Sequence, residues 1–212
     1  MESAVLIKGI VMGFSIAAPV GPIALLCIQR TLSQGPWAGL ATGLGAATAD
    51  GIYGLTAGLG LSALSALFLD HRLGLQIVGG IFLCWLGIRG MKTPAGEGET
   101  EESPSGAAAS RNLASAYLTT LGLTLTNPMT LMAFAAVFSA LGQTRPGAAL
   151  TLSGGVFLGS GLWWLLLALV IAPLGRRLTP AFRGWIQGGS GIILVGFGLV
   201  ALIQGLKNWW AG

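Results

Sequence analysis

Residues 9–29 read GIVMGFSIAAPVGPIALLCIQ, with Lys8 before the run and Arg30 after it. The run holds no charge. It is long enough to cross a bilayer core, which takes about 20 mainly apolar residues. Its centre is not that of an ordinary helix. Pro19 and Pro22 each lack an N–H and clash with the preceding turn, and Gly21 between them frees the backbone. The stretch reads as a membrane helix broken near its middle. A signal peptide is a poor reading. The first charge is Glu2, the first basic residue comes only at Lys8, and two prolines sit inside the apolar run. Lys8 fits a side chain snorkelling to the interface.

The same pattern continues outward. Of 212 residues, 53% are hydrophobic, and only 11 Lys and Arg and 7 Asp and Glu are present, or 8%. Soluble domains carry roughly 25% charge. Mean hydropathy is +0.78, so there is too little polar surface for a soluble fold and too much apolar content for disorder. The charges punctuate long apolar runs. These predict an all-α integral membrane protein with six spanning helices at about 4–27, 39–65, 73–91, 113–141, 147–173 and 185–206. A β-barrel is disfavoured, because the runs are continuously apolar and do not alternate.

Orientation follows from the basic residues. One side receives Lys8, Arg72, Arg145 and Lys207. The other receives Arg30, Arg89, Lys92, Arg111, Arg176, Arg177 and Arg183. The richer side is expected to be cytoplasmic, with both termini outside. The net charge of +4 is thereby topogenic and needs no nucleic-acid partner.

Residues 92–111 differ from the rest. They are rich in Gly, Pro and Ser and hold Glu97, Glu99, Glu101 and Glu102. That composition is a flexible, acidic cytoplasmic linker. It divides the chain into a first three-helix unit, 1–91, and a second, 112–212. The units resemble each other. Gln76, Gly80, Leu83 and Gly87 in helix three match Gln187, Gly191, Leu194 and Gly198 in helix six at a constant offset, and Gly21-Pro22 in helix one faces Asn127-Pro128 in helix four. An odd number of helices per unit inverts the second copy. Inverted repeats with two broken helices are a transporter signature, with the site near the midplane. The half-helix after each break would aim free N–H groups at an anion such as a carboxylate.

Asp50 is the second decisive feature. It lies about 11 residues into helix two, roughly 16 Å at 1.5 Å per residue, near the middle of the core. A central Asp costs about 2.5–3.5 kcal/mol on insertion scales, so a functional role is expected: exchanging a proton or pairing a substrate ammonium. Its helical neighbours Gly43, Ala46, Ala47, Tyr53, Gly54 and Ala57 form a small face suited to a cavity or a close helix contact. The alternative is a structural acid bonded to Tyr53, Thr48 or a neighbouring helix.

Other features weigh less. Trp163-Trp164 could line a substrate path or simply pack. Gln76 and Gln187 suit interhelical hydrogen bonds, and Gly39/Gly43, Gly155/Gly159 and Gly184/Gly188 suit close packing. His71 is the one histidine, which argues against a metal site. No phosphate loop, dinucleotide fingerprint or hydrolase elbow occurs, so no cofactor is expected. No nucleophile–base set lies at membrane depth, so the chain is not expected to be an enzyme. Cys27 and Cys84 allow a transmembrane thiol–disulfide electron conductor as an alternative, against two ordinary buried thiols.

Ala18-Pro19-Val20-Gly21-Pro22-Ile23, Arg30 through Gly35, and Gly39 through Asp50 to Tyr53 resemble the first repeat of the LysE/RhtB-type amino-acid exporters. Thr126-Asn127-Pro128 and the later glycines with Trp163-Trp164 resemble the second. The likeness covers essentially the whole chain. It implies secondary export of amino acids or similar small metabolites from the cytoplasm across a bacterial inner membrane, by antiport against protons, in a homodimer. From the breaks and the buried acid, the residues expected to bind substrate or ion are Pro19, Gly21, Pro22, Asp50, Tyr53, Thr126, Asn127, Pro128, Trp163 and Trp164, with Asp50 carrying the proton or pairing the substrate amine. Many members carry Asn or Asp directly after Gly-Pro; here Ile23 stands there. Other branches of the superfamily move metal ions or electrons.

Overall fold

The structure, a computed structural model, describes residues 2–19, 21–59, 72–92, 107–127, 130, 133–134, 146–177 and 179–211. Most of the linker (93–106), His71, Arg145, Pro128 and the final part of the expected fourth helix lie outside the described residues, as do the side chains of Gln76 and Gln187.

Seven long helices are described: α1 Glu2–Ala17, α2 Pro22–Gln34, α3 Pro36–Gly58, α4 Arg72–Lys92, α5 Ala107–Thr126, α6 Pro146–Arg177 and α7 Pro180–Ala211. Proline begins four of them, at Pro22, Pro36, Pro146 and Pro180. Its missing N–H is lost where no helical acceptor exists. The first expected span is two helices, α1 and α2, bent by 80°. α2 then turns directly into α3 at Gly35, whose φ of 91° suits glycine and few other residues.

By length and apolarity, Ala148–Gly175 and Gly184–Lys207 are each able to cross a membrane, and α1 with α2 passes the same test as one bent unit. α3 is less apolar, because Gly, Ala and Thr stand where larger apolar residues would and Asp50 interrupts it.

Those small residues set the packing. In lipid, helices gain little from excluding water, and association depends on close contact. α1 meets α6 backbone to backbone: a Cβ on Gly9 or Gly13 would strike the main chain at Leu152, Gly155 and Val156, and one on Gly159 would strike Ile10. α4 meets α7 in the same way, Gly80 against Gly198 and Gly87 against Gly191. α3 packs between α5 and α6, with Gly45 against Tyr117 and Gly43 against Trp164. α2 lies across α3 and touches α6 and α7. The core beside it joins Ile23, Ala24, Leu26, Cys27, Ala46, Ala47, Leu123 and Trp164. The outer faces are apolar: Val78 is 63% exposed and Ile192 65%. Water does not tolerate such continuous surface; lipid does.

Candidate functional site

The break between α1 and α2 borders a cavity of ≈ 340 Å³. Pro19, Gly21 and Pro22 line it from the break, Asp50 from α3, Asn127 from the end of α5, and Trp164 from α6. Six of the residues singled out in the sequence thus meet in one place. Gly21 caps α2 with extended backbone and no side-chain bond. Leu25 is the first α2 residue to donate back, to the Gly21 carbonyl at 3.2 Å. The N–H groups of Ile23 and Ala24 belong to the open first turn, where helices carry unpaired donors and partial positive charge. Both residues line the cavity.

Asp50 is buried, 3% exposed. Its Oδ2 accepts a 2.6 Å hydrogen bond from the Ser160 hydroxyl. Ser160 Oγ in turn accepts one from Trp164 Nε1 at 3.0 Å, one turn along α6. The chain Trp164–Ser160–Asp50 fixes the carboxyl at the α3–α6 contact while it still borders the cavity. Of the structural partners weighed for Asp50, the neighbouring helix is the one observed; Thr48 instead donates to Leu44 O and receives the Tyr117 hydroxyl.

The remaining predicted residues are placed otherwise. Thr126 borders a second cavity, ≈ 290 Å³, between α2, α4, α5 and α7, which Asn127 also lines. Tyr53 donates its hydroxyl to Leu125 O at 2.6 Å and packs on Phe134, which seats the end of α5 against α3. Trp163 stands edge-on to Phe14 at 5.4 Å and borders neither cavity. Cys27 donates to Gly39 O and Cys84 to Val195 O, on different helices.

Two polar residues add to those read from the sequence, and a third gains a role. Ser160 is one. Its signal was its place, a small hydroxyl between Gly159 and Gly161 in α6, as far from Pro146 as Asp50 is from Pro36. Thr124 is the second: it lines the Asp50 cavity, and its buried Oγ1 has no hydrogen-bond partner among the described residues. Such an orphan costs about 1–3 kcal/mol, which a bound ligand would recover. Arg30 is the third. Its Nη1 donates to Thr42 Oγ1, Ala116 O and Thr120 Oγ1 at 3.0–3.1 Å. It marks a segment end and also ties α2 to α3 and α5.

The family model for the LysE type translocator matches residues 14–205. The chain belongs to the LysE-type translocator family. The Bacillus subtilis (strain 168) protein YcgF, named for amino acid efflux, is 29% identical over 205 residues, covering 94% of this chain and 95% of that one. The threonine efflux protein of Escherichia coli (strain K12) is 26% identical over 168 residues, 73% of this chain and 80% of its own. The chemotactic transduction protein ChpE of Pseudomonas aeruginosa is 25% identical, covering 94% and 98%. No solved structure gives a significant match. Members of this translocator family are membrane proteins built of apolar helices, and this chain is one of them.

Proposed function

We propose that this protein exports amino acids from the cytoplasm, with Asp50 exchanging the coupling proton. The observation that carries the reading is the cavity that gathers Asp50, the open start of α2 and Asn127 from elements far apart in sequence. The donors of α2 suit a substrate carboxylate. Asp50 suits its ammonium group, and the orphan hydroxyl of Thr124 suits either end. The names of the amino acid and threonine efflux relatives point the same way.

The transport cycle follows from a two-fold layout of six spans as inverted repeats, with both termini outside and the linker in the cytoplasm. Contacts between the halves support it. Gly80 and Gly191 hold equivalent places, as do Gly87 and Gly198, and the observed contacts are Gly80 with Gly198 and Gly87 with Gly191. Exchanging the halves leaves that pair of contacts unchanged, as a two-fold interface requires. With Pro36 matched to Pro146, Gly43 on Trp164 and Gly54 on Ser153 form a second such pair, and Asp50 and Ser160 are partners across the axis. Rocking of one half against the other would expose the cavity to each side in turn. A homodimer would cover part of the exposed apolar surface.

Purified protein in proteoliposomes tests this against a panel of amino acids, with and without a pH gradient. Flux of at least one amino acid that accelerates with the gradient is expected. Flux of a divalent metal and of no amino acid would refute the proposal.

A further inference from the structure

Resting on the export reading above, we infer that the second cavity receives the substrate's side chain and selects amino acids whose side chains are uncharged and apolar. The two cavities share Pro22, Ile23, Asn127 and Phe197 in their walls, so they adjoin, and a ligand held at Asp50 would have to reach past Ile23 from one into the other. Their chemistry differs. The charged and helix-end groups that suit an ammonium and a carboxylate, Asp50 and the α2 start, lie on the first cavity. The walls of the second include Gly80, Leu83, Leu123, Phe197, Val200 and Ala201, and its polar members, Thr126, Asn127 and Gln204, carry no charge. At the junction stands Ile23, buried and apolar.

A lysine, arginine, aspartate or glutamate side chain placed there would lose its hydration and find no opposite charge among the described lining residues, which is heavily disfavoured. A branched aliphatic or thioether side chain loses nothing and excludes water from apolar walls. The volume of ≈ 290 Å³ admits such a group, and the two cavities together fall in the range of small-molecule sites. Discrimination by apolar walls runs at about 10–200-fold per methylene, so leucine and methionine should be separated clearly from alanine.

The experiment is efflux from proteoliposomes loaded with radiolabelled leucine, methionine, alanine, lysine or glutamate, using the full chain and two variants. Wild type is expected to move leucine and methionine in preference to lysine and glutamate. Ala201→Phe, which fills the second cavity, is expected to lower the leucine-to-alanine flux ratio by about tenfold. Leu83→Ala, which enlarges it, should raise relative flux of phenylalanine, so the inference remains testable if Ala201→Phe fails to insert. Lysine or glutamate moving as fast as leucine, or an unchanged leucine-to-alanine ratio in a folded Ala201→Phe protein, would overturn the selectivity while leaving amino-acid export intact. Absence of flux for every amino acid would overturn both.

Discussion

At the scale of single residues, the proposed site centres on one buried acid and the hydroxyl that donates to it. Ser160→Ala removes the only hydrogen-bond donor to Asp50 among the described residues and also the acceptor of Trp164 Nε1. Losing a hydrogen bond to a charged or proton-sharing group costs about 1.5–3 kcal/mol. We therefore expect a folded protein whose export falls by roughly one to two orders of magnitude, read as initial efflux rate, with Ser160→Thr recovering part of it. Unchanged export by Ser160→Ala would remove the hydroxyl from the account. Replacing Cys27 and Cys84 together by Ser should leave export intact, since each thiol meets a backbone carbonyl on a separate helix; loss of export in that variant would favour thiol redox chemistry. Asp50 was legible in the sequence because a charge at membrane depth carries a cost that demands a reason. Ser160 was not, because a hydroxyl in an apolar helix is nearly free, and its meaning depends on which helix it faces. Arg30 was legible only as a boundary charge, since its acceptors on α3 and α5 lie 12 to 90 residues away.

At the scale of elements, glycine decides which helices touch. Gly196 and Gly198 lie two residues apart on α7 and should respond oppositely to alanine. At Gly196 a Cβ meets open space, and Ala gains about 0.5–1 kcal/mol from helix propensity. At Gly198 it would press on Gly80 O and Cys84 Sγ, and overpacking costs about 1–3 kcal/mol. Thermal unfolding of purified protein in detergent should show Gly196→Ala at or above wild type and Gly198→Ala below it. The reverse order would mean that α4 and α7 do not meet at these glycines. The sequence showed that these glycines repeat, but not which partner each takes. Antiparallel crossing pairs Gly80 with the glycine equivalent to Gly87, a consequence of three-dimensional packing. The break at Pro19–Pro22 was readable because proline has a fixed backbone cost; the 80° bend was not, because its size depends on what α2 packs against.

At the scale of the whole molecule, the distribution of basic residues predicts orientation. A reporter fused to the C-terminus should be active only if it folds outside the cytoplasm, and one inserted in the 92–111 linker only if it folds inside. A cytoplasmic C-terminus would overturn the orientation read from the basic residues. The apolar helices and the family were both visible in the sequence, through charge-free runs and the Pro-x-Gly-Pro break. The division of the site into two cavities was not, because their shared wall is assembled from α2, α5 and α7. The central claim is that a carboxyl at the junction of the two halves couples amino-acid movement to protons. It is tested most directly by amino-acid efflux from proteoliposomes under an imposed pH gradient, wild type beside Asp50→Asn. The account predicts that Asp50→Asn inserts and folds normally but that its flux no longer responds to the gradient. Gradient-driven efflux by Asp50→Asn equal to that of wild type would contradict it.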